Sequence, residues 1–284
     1  MKTVYHLFVT LVLMLIPMIS TAQAPKLANT GYAPVNGLKM YYEIHGEGTP
    51  LLLLHGSFMT GQMTFGSMIP ELAKHHKVIV VDLQGHGRTA DGARDFSFPH
   101  FAEDAAALLQ YLHIQQADVM GYSLGATIGL QLAISHPELV RKLVFISAVY
   151  NSTGWIPSTQ AAFAALTPEM LTNSPLKEAY DAVAPDKSHW NTFLQRMIAF
   201  AQKPFDLGKE NLKKVKAPVL IIKGDNDGID YTHMAEMYTA LGGGVFGDMV
   251  PMPASQLAVL PGASHTGIIM MPEKLLMLIT PFLQ

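Results

Sequence analysis

The chain runs to 284 residues, 49% of them hydrophobic and 14% charged, which is enough apolar material for one large core and excludes a disordered majority. A formal net charge of −3 excludes a field that would recruit nucleic acid, and the densest basic group, Lys213, Lys214 and Lys216, reads as a solvated loop. With no cysteine at all, disulfides, thiolate nucleophiles and cysteine-ligated zinc are excluded as well.

The first residues have the form of an export signal. Lys2 supplies a positive start, Val4 to Ile19 is a nearly continuous apolar run broken by Pro17, and Ser20-Thr21-Ala22 supplies the small residues that a signal peptidase accepts. Residues 1–22 are therefore expected to be a signal peptide cleaved after Ala22. The mature protein is expected to be exported, periplasmic or secreted, with no stable membrane association once the signal is removed.

Beyond the leader, Lys39 to Ile44 and Leu51 to Leu54 read as strands, the second an unbroken apolar run of the kind buried on both faces. Gly46, Gly48 and Pro50 mark the turn between them. A helical stretch through Met68 to Lys74, a strand Val78 to Val81 and a helix Phe101 to Leu112 follow. Asp118 to Met120 is a short strand that enters Gly121-Tyr122-Ser123-Leu124-Gly125, and a helix from Ala126 to Ile134 stops near His136-Pro137. Leu143 to Ile146 is another buried strand.

From Asn151 to Lys216 the rhythm changes. Helical pieces such as Gln160 to Leu166 and Thr192 to Ala201 are separated by Pro157, Pro168, Pro175, Pro185 and Pro204, and no strand signal interrupts them. Strand character resumes at Val219 to Ile222, with a helix over Met234 to Leu241, a last strand Gln256 to Leu260 and a terminal helix Ile268 to Phe282. Such alternation predicts an α/β fold with a mostly parallel sheet, helices on both faces, and the helical block inserted over the sheet's carboxyl edge. The glycine- and proline-rich segment from Gly242 to Pro253 reads either as a plain connector or as a mobile wall of the site.

Chemistry concentrates at Ser123. A serine between glycines, directly after a strand and before a helix, sits on a turn that holds its hydroxyl out while the helix amides face developing charge. A hydroxyl needs a base to take its proton, and of twelve histidines His265, after the final strand, has the fitting position. A carboxylate must orient that base, and Asp225 and Asp227 both follow the strand Val219 to Ile222. One serves as the acid and the other as a turn residue. The oxyanion requires two donors: the Leu124 amide, and an amide from the loop His55-Gly56-Ser57-Phe58, with Ser57 preferred and Phe58 the alternative. His55 reads as a loop brace.

Taken together, His55-Gly56, Asp82-Leu83-Gln84-Gly85-His86-Gly87-Arg88, the Ser123 turn, Gly224-Asp225-Asn226-Asp227 and Gly262-Ala263-Ser264-His265 resemble the α/β-hydrolase fold superfamily, in its serine esterase-like branch. The resemblance begins near Tyr32. It implies an eight-stranded, mostly parallel sheet, a core of residues 32–150 and 217–284, and a small helical cap over 151–216 that matches no family pattern. The family's G-x-x-D pattern ends on the acid, which implies Asp227 rather than Asp225, and His86 becomes structural. Serine stands where the fold's dehalogenases and epoxide hydrolases carry aspartate, so those chemistries do not carry over.

The expected activity is acyl transfer from a small ester-like substrate through an acyl-enzyme, with no metal or organic cofactor. Phe58, Met59 and Tyr122, with cap residues Trp155, Phe163 and Met197, are expected to line an apolar pocket. The same residues would serve a lactonase, a thioesterase, a C–C bond hydrolase or a cofactor-free perhydrolase resembling the haloperoxidases. A ligand-binding protein without catalysis, and a membrane-tethered interaction protein that keeps its leader as an anchor, are the remaining readings.

Overall fold

The computed structural model describes residues 29–284, so the expected signal peptide lies outside the described residues. The described residues open with a hairpin of β1 (Asn29–Val35) and β2 (Leu38–His45), in which Val35 faces Leu38 across Asn36-Gly37. Both turn residues have positive φ, 45° and 83°, the conformation that an Asn-Gly pair adopts in a two-residue hairpin loop. β1 does not show in the apolar pattern because it is an edge strand that contains Pro34 and exposes alternate residues.

The remaining strands are β3 (Thr49–Leu54), β4 (His76–Val81), β5 (Ala117–Tyr122), β6 (Val140–Ile146), β7 (Val219–Asn226) and β8 (Gln256–Ser264). They form one eight-stranded sheet in the order β1-β2-β4-β3-β5-β6-β7-β8. β2 runs antiparallel to β1 and β4, and every pairing from β4 through β8 is parallel.

Burial on both faces explains the unbroken apolar run of β3. Leu52 and Leu54 enter the core under the helices Phe98–Tyr111 and Leu124–Ser135, whereas Leu51 and Leu53 enter the core under Gly61–Phe65, Ile69–Leu72 and Pro272–Leu283. All four leucines are fully buried, and each contributes ~1.5–3 kcal/mol. β7 and β8 run further than expected from their apolar segments, to Asn226 and Ser264, with a register shift between Gly224 and Asn226. Gly224, Pro261 and Gly262 look like breakers, but β8 is the other edge strand, where a proline removes no needed ladder bond.

Between β6 and β7 the chain forms the helices Pro157–Ala165, Pro168–Leu171, Pro175–Val183, Trp190–Gln202 and Lys209–Leu212. Pro157, Pro168 and Pro175 do not separate helices; each opens one, because the first turn needs no N–H from its leading residue. The two roots of this block are tied to each other: Ser152 N–H donates to Phe205 O at 2.9 Å and Leu207 N–H to Tyr150 O at 2.9 Å. Its far side is clamped to the core by Arg196, which donates to buried Asp91 and to the carbonyl of Gly92, while His189 Nε2 lies 3.1 Å from Asp91.

The Gly242–Pro253 segment leads into the amino end of β8, whereas Ser264 and His265 lie at its carboxyl end. The segment is thus a connector at the far end of the sheet, and its reading as a wall of the site is corrected. Among the described residues, no helix is long and apolar enough to cross a membrane.

Candidate active site

Ser123 follows β5 and caps the helix Leu124–Ser135 with φ 52° and ψ −116°, a left-handed backbone that costs a non-glycine residue ~1–3 kcal/mol. The turn persists because its surroundings hold it. Ser123 N–H donates to Ile146 O at 2.9 Å, and its carbonyl accepts from Ala126 and Thr127. The flanking glycines have a steric reason: a Cβ on Gly121 would fall 2.3 Å from Gly125 O, and one on Gly125 would fall 1.9 Å from Leu54 O. Helix and sheet approach so closely here that only hydrogen fits.

At the carboxyl edge of the sheet, three loops converge. His265 Nε2 lies 3.1 Å from Ser123 Oγ, and His265 Nδ1 lies 2.7 Å from Asp227 Oδ1. A carboxylate only accepts, so Nδ1 carries the proton and Nε2 is left free to accept from the serine hydroxyl. Asp227 is 3% exposed, and its Oδ2 accepts from Gly224 N–H at 3.2 Å, which fixes the carboxylate plane. Asp225, the other candidate, points elsewhere: its Oδ1 accepts from Ala263 N–H at 3.1 Å and from Asn226 Nδ2 at 2.9 Å. Backbone amides of Gly262 and Ala263 hold its carboxyl below the usual range. Asp225 thereby pins the β7 and β8 ends where the sheet register shifts.

Leu124 begins the helix, so its amide is among the donors that no helical carbonyl takes. On the opposing loop, Ser57 lies between Gly56 and Phe58, and Phe58 has φ 61°. That loop is held from below by His55, which is fully buried. His55 Nε2 accepts from Leu83 N–H at 3.0 Å, so its Nδ1 donates to Gly56 O at 2.8 Å. Burial pushes the His55 pKa down and keeps the ring neutral in this role. His86 lies beneath it, 4.9 Å between ring centroids, with Phe193 of the helical block 4.7 Å away on its other side. Burial pushes its pKa well down, in keeping with a packing role.

The pocket residues expected from the sequence divide. Phe58 and Met59 are half-buried on the loop beside Ser57, with Phe58 packed edge-on to Phe193 at 6.0 Å. Trp155 lies edge-on to His265 with centroids 5.5 Å apart, and Phe163 backs it at 5.4 Å. Met197, by contrast, is fully buried and belongs to the core. Tyr122 is 2% exposed rather than a lining residue, and its hydroxyl donates to the His265 carbonyl at 2.9 Å. Its side chain alternates with its neighbours along β5 into the core between sheet and terminal helix, which explains the correction.

Two features were missed. Lys223, 1% exposed within the apolar run of β7, donates to Ile229 O at 2.8 Å and lies 3.6 Å over the Tyr231 ring, beneath the loop that carries Asp227. Nothing in a lone strand lysine signals this. The loop that carries Asp227 is also zipped to the root of the helical block. Asp230 N–H donates to Gly154 O at 2.8 Å and Ile156 N–H to Gly228 O at 3.0 Å, with an antiparallel bridge between Trp155 and Ile229.

Comparison with known proteins bears on the fold. The family model described as the alpha/beta hydrolase fold matches residues 49–161. A protein named as a carbamate hydrolase, RutD, from Azorhizobium caulinodans is 28% identical over 72% of this chain and 84% of its own length. A pimeloyl-[acyl-carrier protein] methyl ester esterase from Aeromonas hydrophila is 38% identical, but over only 37% of this chain and 40% of that protein. Among solved structures, the meta-cleavage product hydrolase CumD superposes with a TM-score of 0.69 at 20% identity, over 90% of this chain and 98% of that one.

The fold is the one these solved hydrolases share, and residues 49–161 carry the match to the family model. The named relatives are hydrolases and esterases.

Proposed function

We propose that the protein is a serine hydrolase that cleaves a small ester-like substrate through an acyl-enzyme. The observation that carries this reading is the continuous hydrogen-bonded line from Asp227 through His265 to Ser123, at 2.7 and 3.1 Å. Ser123 Oγ attacks the carbonyl carbon while His265 Nε2 takes its proton, and Asp227 steadies the imidazolium that results. The Leu124 and Ser57 amides receive the oxyanion. Collapse breaks the bond to the alcohol oxygen, which leaves with the proton from His265. Water then enters, gives a proton to the same nitrogen and attacks the acyl carbon; collapse breaks the bond to Ser123 Oγ, which takes the proton back from His265, and the acid leaves. Trp155, Phe163, Phe58 and Met59 bring apolar side chains to this edge, and that composition favours an uncharged acyl group.

The test is hydrolysis of p-nitrophenyl esters of increasing acyl length by the wild-type protein and by Ser123→Ala. Turnover is expected to fall by about 10³-fold or more in the variant, because nothing else in the line can form the acyl bond. Equal turnover in both proteins would defeat the reading.

A further inference from the structure

Tyr122 is buried between the nucleophile strand, the His265 loop and Gly56 of the proposed site. Its backbone is the residue of β5 immediately before Ser123, and its hydroxyl donates to the backbone carbonyl of His265 itself at 2.9 Å. The ring lies 5.5 Å from the His265 imidazole, centroid to centroid, at an interplanar angle of 34°. On its other flank the ring lies against Gly56, where a Cβ would fall 2.8 Å from both Cδ1 and Cε1. Strand, oxyanion loop and base loop thus meet on one buried phenol.

We infer that Tyr122 is a positioning residue, which ties the His265 loop and the Gly56–Ser57 loop to the nucleophile strand and so sets the Ser123–His265 separation. This rests on the serine hydrolase reading above. Because β8 is an edge strand, the sheet holds the His265 loop from one side only, through the β7 end and Asp225, and Tyr122 adds a hold from β5. A rigid aromatic with one donor at its tip is suited to the task, having few rotatable bonds and a polar end that must find an acceptor once buried. Burial, and next the negative charge of Asp227, raise the phenol pKa far above its usual value, so the hydroxyl remains a donor at every working pH.

Tyr122→Phe removes one oxygen and keeps the ring. With a short ester, kcat is expected to fall about tenfold while KM stays within about twofold, because orientation of the base is lost and the binding walls are not. The downfield proton resonance of His265 Nδ1 is expected to broaden in the same variant. Wild-type kcat with an unchanged resonance overturns the inference. A second pair, 4-aminophenylalanine and 4-methylphenylalanine installed at position 122, compares side chains of equal size that differ only in the donor. The amino form is expected to turn over about tenfold faster than the methyl form, and equal rates overturn the inference even if Tyr122→Phe folds poorly. Ser123→Ala is measured alongside: if it keeps turnover, the hydrolase reading fails, and if it is inactive while Tyr122→Phe is not impaired, only the positioning role fails.

Discussion

His233 is the group through which acid should loosen the root of the helical block. It lies on the helix Tyr231–Ala240, is 7% exposed, and its Nε2 accepts from Tyr150 N–H at 3.3 Å while the two rings stack at 4.3 Å. Gly154 abuts the same ring so closely that a Cβ there would fall 2.6 Å from Cδ2, Cε1 and Nε2. Burial lowers the His233 pKa from 6.5 to about 4, against the opposing pull of the Glu236, Asp230 and Asp206 carboxylates. Above about pH 6.5 both folded and unfolded states hold it neutral and no stability is lost. As pH falls through that value, the unfolded chain takes up a proton that the folded chain refuses, and stability declines until about pH 4, where the folded ring also protonates. The full displacement corresponds to ~3 kcal/mol, and partial solvent contact reduces this to ~2 kcal/mol.

The assay is urea unfolding at a series of pH values from about 7.5 to 4.5, on wild type and on His233→Gln, which does not titrate but can still accept from Tyr150. Loss of the stacked ring lowers the variant's stability by an amount that does not vary with pH. Between pH 7.5 and 4.5 the wild type should then lose ~2 kcal/mol more than the variant, so the two curves converge in acid. His55, His76 and His86, whose pKa values burial also lowers, contribute equally to both proteins and cancel. Parallel curves over the whole range would refute the reasoning.

Asp227→Asn should lower kcat by about 10³–10⁴-fold, because an amide cannot hold the imidazole with its Nδ1 protonated, whereas Asp225→Asn should cost less than about tenfold. Steady-state kinetics on the two variants decides between them, and the reverse order would mean that the acid is misassigned. Trp155→Ala removes the indole beside His265 and should raise kcat/KM for long acyl esters relative to acetate by about tenfold. An unchanged chain-length profile would show that Trp155 does not bound the pocket.

Sequence pattern revealed most of the sheet because buried parallel strands have little freedom in composition: Leu51–Leu54 and Leu143–Ile146 must be apolar on both faces. It was silent on β1, which lies at an edge and needs no such run, although Asn36-Gly37 carried the hairpin signal. Within the helical block, proline was read as a stop where it was a start, since the residue is compatible with both a break and a first turn. Ser123 and His265 were legible from order along the chain alone. The choice between Asp225 and Asp227 needed the family pattern, because both follow the same strand and only the register shift beyond Gly224 turns one inward. The burial of Tyr122 follows from strand alternation, but its bond to the His265 carbonyl depends on a contact across 143 positions that no local pattern encodes.

The zipper between residues 154–156 and 228–230 bears on how new specificities could be grafted onto this scaffold. An exchange of the whole insert would cut through backbone bonds that shape the loop of the acid, and a foreign segment of different register would drag Asp227 out of line before any ligand was offered. Donor sequences should therefore be spliced after Ile156 and before Phe205, leaving the recipient's own stem in place. Libraries confined to the helices between those points would vary recognition while sparing the chemistry.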